Sequence, residues 1–141
     1  MGNRRISVLD CISQASREIG ITQKTLTTVV NSLDQDVVQM LALLNAVADE
    51  VLLDEPYRAT LGDEIWITDQ SGNAQETVMA DTDLIGFDAR LAIDGVKWRF
   101  LKAKGLEFGE EMRDFSNRLN KLGVRANGRV LDLYAEDGRQ Q

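Results

Sequence analysis

Apolar positions recur along this chain with two different periods, and the change of period divides it into elements. Val8, Ile12, Ala15 and Ile19 fall on one helical stripe, with Ser7 in place to cap it and Gly20 to stop it, so the spacing predicts a first helix from Ser7 through about Ile19. The stretch from Ile21 to Ser32 is rich in Thr and Gln and predicts a loop. From about Leu33 to Asp54, Val37, Met40, Leu41, Leu44, Val47, Ala48, Val51 and Leu52 repeat at steps of three and four, the broad stripe of a core-facing helix. Asp36, Gln39, Asn45, Asp49 and Glu50 take its other side, and Pro56 ends it at or before Glu55.

The period then shortens. Glu64 to Thr68, a turn over Asp69 to Ala74, and Gln75 to Met79 predict a β-hairpin over residues 64–79, with Trp66 facing opposite to Ile65 and Ile67. A third helix is predicted to open near Asp81 or Asp83. It carries Leu84, Phe87, Leu91, Trp98 and Leu101 on one side, is interrupted at Gly95 where a neighbouring backbone approaches, and ends at Gly105. A fourth, from about Leu106 to Leu122, has Phe108, Met112, Phe115, Leu119 and Leu122 at helical spacing and stops at Gly123. The segment Val130-Leu131-Asp132-Leu133-Tyr134 is too apolar for a solvated tail and fits either a strand or a short helix. The expected fold is mainly α: a four-helix antiparallel bundle with an inserted β-hairpin and an extended C-terminal arm. Residues 1–127 would form the helical domain and 128–141 the arm.

Composition narrows the function classes. At 141 residues the chain suits one domain with a real core. No apolar run approaches a membrane span, so no membrane partner is expected. Met1 to Arg5 lead into an amphipathic pattern without a signal-peptide core, and Ile6 stands where a myristoylation motif needs Ser or Thr, so neither export nor acylation is expected. The chain has no histidine and one cysteine, Cys11. That removes the usual general base, the usual metal ligand, any Ser-His-Asp or Cys-His site and any internal disulfide. Cys11 sits beside an apolar stripe and is read as a small buried residue in a reducing compartment.

Hard oxygen sites survive this elimination, but none has the right spacing. Asp81-Thr82-Asp83-Leu84-Ile85-Gly86 imitates the start of a calcium loop, yet Ala92 stands where the closing Glu belongs. Asp81 and Asp83 are read instead as helix caps. No phosphate-binding glycine motif is present, and no cofactor is expected. Paired carboxylates for glycoside cleavage are always available among 23 acids, and no spacing singles a pair out.

The net charge of −7 is uneven: −12 over residues 31–94 and +4 over residues 95–127. An acidic middle followed by a basic stretch does not suit a duplex-DNA reader; it suits like subunits packed head to tail, docking on a charged partner, or two solvated faces of one domain. The run Lys97, Arg99, Lys102 and Lys104, interleaved with Trp98 and Phe100, is the best nucleic-acid candidate, although Trp98 lies on the core stripe. We read these four cations as a possible inter-subunit face.

Two segments carry a resemblance. Val8-Leu9-Asp10-Cys11-Ile12-Ser13-Gln14-Ala15-Ser16-Arg17-Glu18-Ile19-Gly20 is similar to the opening helix of the head-to-tail adaptor proteins of tailed double-stranded DNA bacteriophages, also called head-completion, connector or tail accessory factors. Gly95-Val96-Lys97-Trp98-Arg99-Phe100-Leu101-Lys102-Ala103-Lys104-Gly105-Leu106-Glu107-Phe108 resembles the junction between their later helices. The order of elements agrees, and the resemblance spans about residues 7–127. It departs from the family between the second and third helices, where relatives have Trp- and Pro-rich segments, and in its short C-terminal arm.

The resemblance implies a non-enzymatic virion protein of the neck, assembled in the host bacterial cytoplasm as a ring, commonly a dodecamer, beneath the portal protein. Identical subunits, the portal and a tail or lower neck protein would be its partners, and double-stranded DNA would only pass through the lumen. Within that picture Val130, Leu131, Leu133 and Tyr134 are the expected portal-binding anchors, being apolar residues with no evident core of their own. The hairpin tip, Gln70, Ser71, Gly72 and Asn73, is the expected contact with a neighbour or the tail. A small cellular helical regulator and a carboxylate-dependent lytic enzyme are the competing readings.

Overall fold

In the computed structural model, residues 5–20, 26, 28–54 and 66–138 are described, with side chains up to residue 123. The expected stop at Pro56, the start of the hairpin at Glu64 and Ile65, and the side chains of the apolar C-terminal segment lie outside that description. The chain is mainly helical, with a small three-stranded antiparallel sheet.

Helix α1 spans Val8–Glu18. Ser7 stays extended, and its hydroxyl accepts from the Asp10 amide at 3.1 Å, satisfying one of the first-turn donors that a helix leaves open. Val8, Cys11, Ile12 and Ala15 are fully buried along the expected stripe. Gly20 ends the helix at φ +80°, a conformation that costs a residue with a Cβ roughly 1–2 kcal/mol.

Helix α2 spans Gln35–Leu53 and starts later than the apolar pattern suggested. Asp34 caps it, accepting from the amides of Asp36 at 2.8 Å and Val37 at 3.4 Å. Leu33 is thereby left outside the helix, 98% exposed. Val37, Met40, Leu44, Val47, Ala48 and Val51 form the buried stripe, with Leu41 and Leu52 half-buried beside it.

The sheet contains the expected hairpin pairing and adds a third strand to it. Its strands are β1 (Ile67–Thr68), β2 (Ala74–Gln75) and β3 (Leu84–Ile85), in the order β2-β1-β3. β1 pairs Ile67 with Gln75 and Thr68 with Ala74 on one side, and Ile67 with Ile85 and Thr68 with Leu84 on the other. The central strand is therefore paired on both edges, and Trp66 and Ile67 are both buried although they point to opposite faces. The segment before α1 adds to β3: Ile85 N donates to Ile6 O at 2.9 Å, and Val8 N to Asp83 O at 2.8 Å.

Leu84 and Phe87 thus do not belong to the third helix, and Asp81 and Asp83 do not cap it. Helix α3 spans Ala89–Ala103, and Asp88 caps it by accepting from Leu91 N at 2.9 Å. Every residue from Leu91 to Val96 is buried, the mark of a central helix; α3 lies against α1, α2 and the final helix. Gly95 does not interrupt it. A Cβ there would stand 2.6 and 2.8 Å from the two methyls of Val47 and 3.1 Å from the Phe115 ring, so side chains, not a backbone, make the close approach. Gly105, at φ +72°, turns the chain after α3 as expected.

Helix α4 spans Gly109–Gly138, about 45 Å at 1.5 Å per residue. It runs through Gly123, where a stop was expected, and across the 127/128 boundary. Glycine inside a helix costs roughly 1 kcal/mol but does not end it unless the backbone turns left-handed. The C-terminal arm is accordingly helical rather than extended as far as Gly138. Phe115 and Leu119 are buried, Phe108 and Leu122 half-buried, and Met112, expected in the core, is 41% exposed.

Candidate interaction surfaces

The chemically notable side chains mostly serve the fold. Cys11 is fully buried, and burial pushes its thiol up to about 12, so it is a neutral core residue at any ordinary pH. Among the described residues no group of three or more His, Cys, Asp or Glu side chains stands close enough to hold a metal ion. The two carboxylates that imitate a calcium loop face different ways. Asp81 accepts from the amides of Val29 at 2.9 Å and Val30 at 2.7 Å, tying the loop before α2 to the turn before β3. Burial alone would raise its pKa, but those amides hold it below the usual value. Asp83 is buried and accepts from Gln75 Nε2 at 2.8 Å, Met79 N at 2.7 Å and Ala80 N at 2.9 Å, closing the turn into β3.

An ion-pair network joins α1 to α3. Glu18, at the end of α1, takes a bidentate grip from the Arg90 guanidinium, a further bond from Lys97 Nζ at 2.9 Å, and one from Gln14 at 2.8 Å. Arg90 also reaches Asp94 at 2.7 Å. These contacts, Arg90 first, hold the Glu18 carboxyl well below the carboxylate range and lift Arg90 further above its own. A second grip ties α4 to the start of α3: Arg118 donates to both oxygens of Asp88, at 2.6 and 2.8 Å.

The hairpin tip is exposed and internally organised. Asp69 accepts from the amides of Ser71 and Asn73, both at 2.8 Å, and from Asn73 Nδ2 at 2.9 Å. Asn73 leads the interactions that lower the Asp69 pKa. Gly72 supplies φ +92° to close the loop. Gln70, Ser71, Gly72 and Asn73 therefore form a shaped protrusion rather than a floppy one.

The basic run does not form one face. Lys97 turns to Glu18, Arg99 to Glu50 on α2 at 2.8 Å, and Lys104 to Asp36 at 3.1 Å. Lys102 has no carboxylate within ion-pair distance among the described residues; its ammonium lies 5.9 Å from the Trp98 ring centre and 6.0 Å from that of Phe108. Trp98 is 8% exposed, packed between Phe108 and Phe115, as its place on the core stripe implied. The Trp98 indole N–H and the Arg99 Nε–H are buried with no acceptor among the described residues.

Periodicity missed the exposed apolar residues. Leu106 is 55% exposed at the α3–α4 turn and Met112 41% exposed early in α4, and Val38 and Leu53 lie 51% and 81% exposed on α2. The signal was present: α2 carries a second apolar line behind its core stripe. Val130, Leu131, Leu133 and Tyr134 fall on α4, at positions that recur with helical spacing. No family model, curated protein or solved structure matches the chain.

Proposed function

We propose that this chain is a structural subunit of a tailed-bacteriophage particle, an adaptor that forms a ring beneath the portal and joins head to tail. The observation that carries the reading is the pair of adaptor-like segments and their relation in the fold. Glu18 of the first segment bonds Lys97 of the second at 2.9 Å, so the two stretches behind the resemblance form one structural unit at the α1–α3 contact. Glu18, Lys97, Arg99 and Lys104 of these segments are spent on helix docking, which favours a scaffold over a catalyst. In this reading the helices pack as an antiparallel bundle in the ring wall. The C-terminal part of α4, with Val130, Leu131, Leu133 and Tyr134, engages the portal, and the hairpin tip meets a neighbour or the tail. Genomic DNA passes through the lumen without being read. Mixing the purified chain with the portal of the same phage and imaging by electron microscopy tests this. A second ring stacked on the portal is the expected result; an undecorated portal under assembly conditions overturns it.

A further inference from the structure

Helix α2 is apolar around more of its circumference than its buried side explains. The core stripe faces α1 and α3, yet a second line runs along the opposite side. Val38, Ala42, Ala46, Asp49 and Leu53 follow one another there at steps of three and four. All are exposed except Ala46, which is half-buried. A helix with one side in the core ordinarily gives polar residues to the other, but Asp49 is the one polar member of this line. Leu33 lengthens the patch. It stands just before the Asp34 cap, where an apolar side chain ordinarily closes over the fourth helical residue, here Val38. Leu33 is instead 98% exposed and Val38 51%, so that closure is not made within the chain.

The charge bordering this patch has a single sign. Residues 25–57 hold six acids and no Lys or Arg. Arg99 and Lys104 of α3 reach Glu50 and Asp36, which sit about a quarter to a third of a turn away from the exposed line. Asp49 on the line and Asp34 at its start are exposed, with no cation within ion-pair distance among the described residues.

We infer that the outer face of α2 receives an amphipathic helix of another protein, with apolar residues at helical spacing bordered by Lys or Arg. Charge complementarity at the patch itself selects this occupant: cations on its border would meet Asp34 and Asp49. The same two carboxylates repel nucleic acid and anionic lipid. The 19 residues of α2 offer about 28 Å, room for a partner helix of four or five turns, and the small Ala42 and Ala46 at its middle let two helices approach closely. A second copy fits poorly. Among the described residues, its exposed apolar side chains that lie near cations are Leu106 and Met112, where Glu107, Glu110 and Glu111 outnumber Lys102 and Lys104. The inference does not rest on the adaptor reading.

Fluorescence anisotropy of a labelled 18-residue helical peptide of Leu and Lys, with Leu on one face and Lys on its borders, tests this against the full chain. Binding should saturate at one peptide per chain. Val38→Ser and Asp49→Lys should each weaken it about tenfold or more, and a peptide with Glu in place of Lys should not bind. Asp114→Lys makes the same charge change on α4 and should leave binding within about twofold, which separates the α2 face from attraction to the acidic chain as a whole. All three positions are exposed, and circular dichroism and thermal melting should show each variant folded. Absence of saturable binding up to the solubility limit overturns the inference, as does equal weakening by Asp114→Lys. Self-association, or binding to phosphatidylserine vesicles, that Val38→Ser and Asp49→Lys abolish would give the face to a second copy or a membrane and overturn it as well.

Discussion

At the scale of single residues, the tightest constraint is Gly95. It lies mid-helix, where alanine is intrinsically better by about 1 kcal/mol. A methyl group there meets the stiff, β-branched Val47 at 2.6 Å and the Phe115 ring at 3.1 Å, and neither neighbour yields cheaply inside a packed core. Overpacking therefore outweighs propensity, and Gly95→Ala should lose about 1–3 kcal/mol of stability in a denaturant titration. Adding Val47→Ala vacates the space, so the double variant should lose less than the two single losses together; simple additivity would show that the contact is not the cause. Asp83 is the second such residue. One of its carboxylate oxygens accepts three hydrogen bonds in a buried turn, from Gln75, Met79 and Ala80. Asp83→Ala leaves two backbone amides without that acceptor and should cost about 1–3 kcal/mol by the same measurement.

At the scale of elements, the Glu18 network decides how α1 is held on α3. Its carboxyl titrates below its ordinary value of 4.5 in the folded chain, chiefly because Arg90 grips it. The folded state therefore binds fewer protons than the unfolded state over that interval. The stabilisation is fully present above pH ~4.5 and drains away as the pH falls below it. Glu18 and Arg90 are both partly in solvent, so screening limits the pair to about 1 kcal/mol at neutral pH. Glu18→Gln should cost no more than that at pH 7 and flatten the acid limb of the stability–pH curve; an unchanged acid limb would assign it to other carboxylates.

Legibility from sequence also differed by element. Helix α1 was readable because a cap, an apolar period and a stop coincide, and α2 because its apolar stripe is long, although its Asp34 cap was not read. The start of α3 was not. Leu84, Phe87 and Leu91 have helical spacing, but Ile85 is drawn into an extended segment by pairing with both β1 and the chain before α1, contacts that no local pattern records. Asp88, not Asp81 or Asp83, then becomes the cap. In the candidate surfaces, the hairpin tip was legible from its turn residues. The basic run was not, because the partners of Lys97, Arg99 and Lys104 come from α1 and α2, distant in sequence.

At the scale of the whole molecule, α4 connects the packed domain to the region assigned to the portal. Its described buried hydrophobic side chains, Phe115 and Leu119, lie in its N-terminal half, and its grip on α3 through Arg118 and Asp88 lies there as well. The helix then continues unbroken through Val130, Leu131, Leu133 and Tyr134 to Gly138. Fold and attachment should therefore be separable by truncation. Removing residues 129–141 takes away the apolar C-terminal segment and none of the packing between α3 and α4 just described. The shortened chain should keep its far-UV circular dichroism per remaining residue and a melting temperature within a few degrees of wild type, a shift that corresponds to about 1 kcal/mol or less. It should fail to decorate the portal in electron micrographs. Changing Leu131 and Tyr134 together to Ser in the full-length chain should give the same loss without shortening the helix, since apolar anchors carry most of a contact's free energy. Full attachment by either variant would remove the role assigned to the end of α4, and a large fall in melting temperature would show that this end supports the fold instead.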